Sequence, residues 1–145
     1  MLQESLFMKR FYVDTNIWLD FALDRRDNIR PLGELAFQFF KKCKKNKWKI
    51  LYSDTVIEEL GRLLTKQEIE ERCLRIVSET GILLKVESNL AQTIEAEKLA
   101  EKYGVPAADA LHAVLARDGK ATLVSRDVHF ESLCKIVTVF LPEEI

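Results

Sequence analysis

The sequence predicts an α/β protein, a parallel sheet with helices on both of its faces. Three observations predict it. Short apolar, β-prone runs alternate with longer stretches of helical periodicity. Only 5 glycines and 3 prolines occur in 145 residues, and most fall at the ends of these stretches. Strand-like runs separated by helices are the pattern of parallel strands joined by crossovers.

The elements follow in order. Residues 1–7 read as a short arm or, with Met8, as an alternative start. Phe11-Tyr12-Val13 is a β-prone run that ends at Asp14. From Leu32 to Asn46, Leu35, Ala36, Phe39, Phe40 and Cys43 share one helical stripe. Lys49 to Tyr52 reads as a second strand. Ser53 or Asp54 then caps a helix carrying Val56, Leu60, Leu63 and Leu64. A further helix runs from Lys66 to about Glu79 and stops at Gly81. Ile82 to Val86 is a third strand. Leu90 to Tyr103 is a polar amphipathic helix stopped by Gly104. Pro106 opens an apolar helix that runs to Arg117 and ends near Gly119. Ala121 to Val124 is a fourth strand and Ile136 to Phe140 a fifth, with a short helix from Asp127 to Leu133 between them. No linker, repeat or low-complexity segment interrupts residues 1–145, so one domain is expected.

Composition narrows the function classes. The chain is 48% hydrophobic and 31% charged, as in a folded soluble domain. Its net charge of −1 provides no global basic field for nucleic acid. No apolar run approaches the roughly 18 residues of a membrane span. Met1 to Arg10 lacks the apolar core and cleavage site of a secretion signal. Cys43, Cys73 and Cys134 are odd in number and widely spaced, which suits free buried thiols in a cytoplasmic protein. Two histidines, His112 and His129, are too few for a histidine-based zinc site.

Four carboxylates stand out. Asp14 follows the first strand, Asp127 lies just beyond the fourth, and Asp109 is in the first turn of the helix opened by Pro106. Ligands in such folds bind beyond the carboxyl ends of the strands. Each aspartate also has a plain structural use, as a helix cap or a complement to a helix dipole. Glu59 is different. It shares the inward stripe of Val56, Leu60 and Leu63, whereas Glu58 points to solvent. A carboxylate on a buried stripe needs a partner, and no cation in the sequence is an obvious one. Clustered acids are costly to hold together without a cation, and Mg²⁺ or Mn²⁺ with their oxygen preference would supply it.

Four stretches resemble the motifs of PIN-domain ribonucleases. They are Tyr12-Val13-Asp14-Thr15-Asn16-Ile17, Ser53 to Leu60 ending on Glu58-Glu59-Leu60, Pro106-Ala107-Ala108-Asp109 to Ala113, and Leu123-Val124-Ser125-Arg126-Asp127 with Phe130. They occur in order over nearly the whole chain. The resemblance implies a three-layer α/β/α sandwich with a five-stranded parallel sheet. It implies that Asp14, Glu59, Asp109 and Asp127 share one or two Mg²⁺ or Mn²⁺ ions and that water attacks the phosphodiester of single-stranded RNA. Asn16 and Ser125 would orient carboxylates or waters; Ser125 keeps the hydroxyl that many relatives carry on threonine. It also implies a VapC-like toxin with an antitoxin protein as partner. A catalytically silent PIN-like module that binds RNA or protein is the alternative.

Other features have two readings. Lys41, Lys42, Lys44, Lys45, Lys47 and Lys49 surround Trp48. They form either a phosphate-backbone patch with a stacking tryptophan or a lysine-rich helix end with Trp48 packed inward. His112 reads as a core or rim histidine rather than a metal group. Trp18, Leu19, Phe21 and Leu23 are either core or the face of a homodimer. A phosphoacceptor receiver domain would need paired acids at the first strand and a lysine after the last, where this chain has one aspartate and Leu141-Pro142. A phosphatase of the Asp-x-Asp type is disfavoured by Asn16.

Overall fold

The structure is a computed structural model and describes residues 9–145. The arm expected over residues 1–7, with Met8, lies outside the described residues. Five parallel strands form one sheet in the order β3-β2-β1-β4-β5. They are β1 (Arg10–Val13), β2 (Lys49–Tyr52), β3 (Leu83–Lys85), β4 (Thr122–Val124) and β5 (Val139–Phe140). Between β1 and β2 come α1 (Thr15–Ala22) and α2 (Leu32–Asn46); between β2 and β3 come α3 (Asp54–Leu60) and α4. α4 starts as Lys66–Glu68, loosens to a π-helical Ile69–Leu74 and finishes as Arg75–Ser78. α5 (Leu90–Tyr103) and α6 (Ala107–Asp118) return the chain to β4, and a 3₁₀ turn (Val128–Leu133) leads to β5. α1 packs on α2 and α4, and α5 packs on α6, which touches β1 and β4. The architecture is the three-layer α/β/α sandwich expected.

The winding fixes where a site can lie. The chain steps from β1 outward to β2 and β3, then crosses back to place β4 on the other side of β1. The crevice between β1 and β4 is therefore the switch point, where doubly wound sheets bind ligands. Val13 pairs with Val124, so the next residues, Asp14 and Ser125, emerge side by side.

The core beneath is aromatic. Tyr12, Trp18, Phe39 and Phe40 are almost fully buried. Trp18 stacks on Phe40 with centroids 4.7 Å apart, and half-buried Phe21 meets Phe40 edge-on at 5.3 Å. Trp18 and Leu19 thus belong to the interior, Phe21 is half-buried against it, and Leu23 is exposed.

Several expectations shift. α3 stops at Leu60 because Gly61 caps it and Thr65 opens a new helix through a capping box with Glu68, so Leu63 is 63% exposed. β5 is shorter than expected because the amides of Ile136 and Val137 fold back onto the Leu133 carbonyl at 2.8 and 3.2 Å. Cys43 and Cys73 are buried, but Cys134 is exposed. Trp48 is half-buried against Phe11, with Lys9 Nζ 4.4 Å from its ring centre. The lysine run sits at the carboxyl end of α2, which runs antiparallel to the strands and so ends beside their amino ends, away from Asp14. That location fits lysines complementing the helix terminus. Among the described residues no helix is long and apolar enough to cross a membrane.

The joint between α1 and α2 is tight. A Cβ on Gly33 would stand 2.7 Å from the Asp20 carbonyl oxygen and 2.7 Å from Asp24 Cα. Both are backbone atoms and cannot rotate away. Gly33→Ala is expected to destabilise the fold by about 1–3 kcal/mol, the usual cost of overpacking. An unchanged urea midpoint would show that the joint has slack.

Candidate metal centre

Asp14 follows β1 directly and caps α1: its Oδ1 accepts a hydrogen bond from the Thr15 amide at 2.8 Å. Its Oδ2 accepts from Ser125 Oγ at 2.8 Å, across the crevice from the end of β4. Ser125 Oγ in turn accepts from the Asp127 amide at 3.0 Å. One serine hydroxyl thereby fixes the positions of two acids. Asp14 is only 4% exposed. Burial raises its pKa, and the Asp109 and Glu59 charges add to this, while His112 and Ser125 oppose it; the carboxyl rises from 3.8 to about 6.

Glu59 lies on α3 and faces inward, as the helical phase predicts; Glu58 is exposed. Its partner is not absent, as the sequence had suggested. Glu59 Oε1 accepts from Thr15 Oγ1 at 2.7 Å and from His112 Nε2 at 2.7 Å. Burial raises the Glu59 pKa, but these two hydrogen bonds outweigh it and hold the carboxyl below its ordinary value. His112 is fully buried, and its Nδ1 lies 2.8 Å from the Tyr12 hydroxyl, which lies 2.6 Å from Ser53 Oγ. Burial pushes the Tyr12 phenol up, so it keeps its proton. The simplest assignment runs one way, with Ser53 donating to Tyr12, Tyr12 to His112 Nδ1, and His112 Nε2–H to Glu59.

Asp109 and Asp127 meet through a histidine. His129 Nδ1 is 2.9 Å from Asp109 Oδ2 and 3.2 Å from Asp127 Oδ1. Asp127 also caps the following 3₁₀ turn through the His129 amide at 2.9 Å. Ligand atoms of Asp109, Asp127 and His129 all lie within 4.8 Å of one another. Burial raises the Asp109 pKa; the His129 hydrogen bond opposes this, and the Asp127 charge adds to it.

The four acids thus form one connected network, joined by Thr15, Ser125 and His129. Asn16 is exposed and touches none of them; its carbonyl and Oδ1 face Arg25 Nη2 at 3.2 and 3.5 Å. Three contributors were missed in the sequence: Thr15, Tyr12 and His129. His129 carried a local signal, standing two residues after Asp127 in the same turn. The carboxylate oxygens of the four acids are hard donors of the kind a divalent cation prefers, and Asp109, Asp127 and His129 are the group among the described residues whose donor atoms converge.

A doubly wound sheet with an acidic crevice at its switch point defines a class of fold and site. The PIN domain family model matches residues 11–136, and the chain belongs to this family. Among solved structures it is similar to FitAcB from Neisseria gonorrhoeae, at 20% identity and a TM-score of 0.60, covering 93% of this chain and 99% of that one. VapBC2 from Rickettsia felis, bound to a DNA fragment from its promoter, aligns at 19% identity and a TM-score of 0.63 over 91% and 98%. A toxin–antitoxin complex from Klebsiella pneumoniae aligns at 20% and 0.62 over 92% and 98%. At these identities the likeness is one of fold. No curated protein matches the sequence.

Asp14 combines a structural and an electrostatic role, and the two separate by substitution. With a folded-state pKa near 6 against 3.8, the folded protein keeps a proton that the unfolded chain has released. Stability therefore falls as pH rises from about 4 to about 6. Asn caps a helix as well as Asp. In EDTA, Asp14→Asn is expected to lack this fall and to melt no lower than wild type at neutral pH, whereas Asp14→Ala melts lower than Asp14→Asn because the cap is lost. Melting of Asp14→Asn below wild type at neutral pH would contradict the assignment.

Proposed function

We propose that the protein is a Mg²⁺- or Mn²⁺-dependent endoribonuclease that cleaves single-stranded RNA by water attack on the phosphodiester. The observation that carries this reading is the network of four acids at the switch point, in a chain of the PIN family. Asp14, Glu59, Asp109 and Asp127 would hold the ion; Glu59 Oε1 is occupied by Thr15 and His112, which leaves Oε2. When bound, such an ion polarises the scissile phosphate and makes water more acidic.

The chain's own residues supply position. Ser125 fixes Asp14 and Asp127 relative to each other, and His112, braced by Tyr12, keeps Glu59 ionised and directed inward. Arg25 is anchored on buried Asp20 at 2.9 Å and brings a guanidinium beside Asn16, where an incoming phosphate would meet it. A groove of about 600 Å³ lined by Ser125, Asp127, Val128 and Phe140 opens beside Asp127, the one acid of the four on its wall.

One of the similar structures is a toxin–antitoxin complex, and this supports a toxin with an antitoxin partner. A silent module that binds RNA without cutting it is the second reading. The intact and mutually ordered acids favour the nuclease.

Clean protein is expected to cleave labelled single-stranded RNA with Mg²⁺ or Mn²⁺ and to stop on chelation; binding without cleavage in either metal would favour the silent module. Glu59→Gln is expected to lower turnover at least about tenfold, or about 1.4 kcal/mol of barrier. Glu58→Gln, on the solvent face, should be nearly silent. Equal losses would refute the role given to Glu59.

A further inference from the structure

The His129 side chain is not part of the buried core. It is 46% exposed at the side chain, and it lies in a short turn at the rim of the sheet. Yet its Nδ1 sits between two carboxylates that the nuclease reading assigns to the ion, 2.9 Å from Asp109 Oδ2 and 3.2 Å from Asp127 Oδ1. Cis ligands of an octahedral ion with bonds of about 2.1 Å stand about 3.0 Å apart. The imidazole nitrogen already stands at about that spacing from each carboxylate oxygen, and all three atoms lie within 4.8 Å of one another. A cation bound there would take the place of the contacts Nδ1 now makes with the two carboxylates.

We infer that His129 is a nitrogen ligand of the ion held by Asp109 and Asp127, and that it biases the centre toward Mn²⁺ and related transition ions over Mg²⁺. The inference rests on the nuclease reading for the location of the ion and adds a donor to it. The chemistry follows from donor type. Mg²⁺ takes oxygen ligands almost exclusively, whereas imidazole suits transition ions increasingly along the series from Mn²⁺ to Cu²⁺. A centre made of carboxylates alone has little to distinguish Mn²⁺ from Mg²⁺; one imidazole provides a difference. His112, the other histidine, cannot play this part, because Tyr12 and Glu59 engage both of its nitrogens and it is fully buried.

The test reads the metal directly. Mn²⁺ alone is added to metal-free protein, and electron spin echo envelope modulation is recorded. A directly coordinated ¹⁴N coupling is expected in wild type and in His112→Gln, and it should vanish in His129→Gln. Calorimetric titration should show His129→Gln losing Mn²⁺ affinity about tenfold or more, with Mg²⁺ affinity changed much less. Mn²⁺ bound by wild type without nitrogen coupling, or equal losses for the two ions, would overturn the inference and leave the nuclease reading standing. Failure of wild type to bind either ion would overturn both. Absence of nitrogen coupling in the wild-type spectrum overturns the inference even where a variant folds poorly.

Discussion

Like charges crowd at the open end of the sheet, and the surrounding side chains are arranged to tolerate that repulsion. Asp14 is buried between β1 and β4 with its ordinary ionisation suppressed by burial and by Asp109 and Glu59. Thr15, Ser125, His112 and His129 each bring a hydrogen-bonding group to these carboxylates. Thr15 serves two of them, giving its amide to Asp14 and its hydroxyl to Glu59. Ser125 donates to Asp14 and accepts from the amide of Asp127. These bonds reduce the repulsion without removing it. The remainder is what a divalent ion would neutralise, so the same feature that weakens the metal-free protein would give the site its affinity.

The winding of the chain explains why the acids can come from such distant positions. Asp14 and Asp127 follow β1 and β4, Asp109 lies in the first turn of α6, and Glu59 comes from α3, the short helix after β2. Parallel topology gathers all such points on one edge. It also carries the lysine-rich end of α2 to the opposite edge, so the largest cluster of positive charge is remote from the acids. For the proposed RNA substrate, attraction to the acidic edge would come from the ion and from arginines such as Arg25, which buried Asp20 holds in place.

Local pattern made much of this legible. The helical phase of α3 turned Glu59 inward and Glu58 outward, and the strand ends placed Asp14 and Asp127. What the sequence hid was pairing across the chain. The partner of Glu59 is His112, 53 residues away, and no periodicity announces a contact between two helices on different crossovers. Read along one helix, His112 looks like a core histidine, which it also is. Trp18 and Phe21 look like surplus surface until Phe40 is packed against them. The end of α3 was a different kind of error, because Gly61 and the Thr65 to Glu68 capping box were readable stop and start signals that the apolar stripe through Leu63 obscured. β5 was overestimated because an apolar run looks alike as strand or as the tail of a turn.

The central claim is that these acids form a single cation-binding edge. The most direct measurement is anomalous scattering at the manganese edge from crystals of the protein equilibrated with Mn²⁺. The account predicts a peak in the crevice between the ends of β1 and β4, within bonding distance of carboxylate oxygens from Asp14, Asp109 or Asp127. A well-occupied peak elsewhere on the chain, with that crevice empty at saturating Mn²⁺, would contradict it.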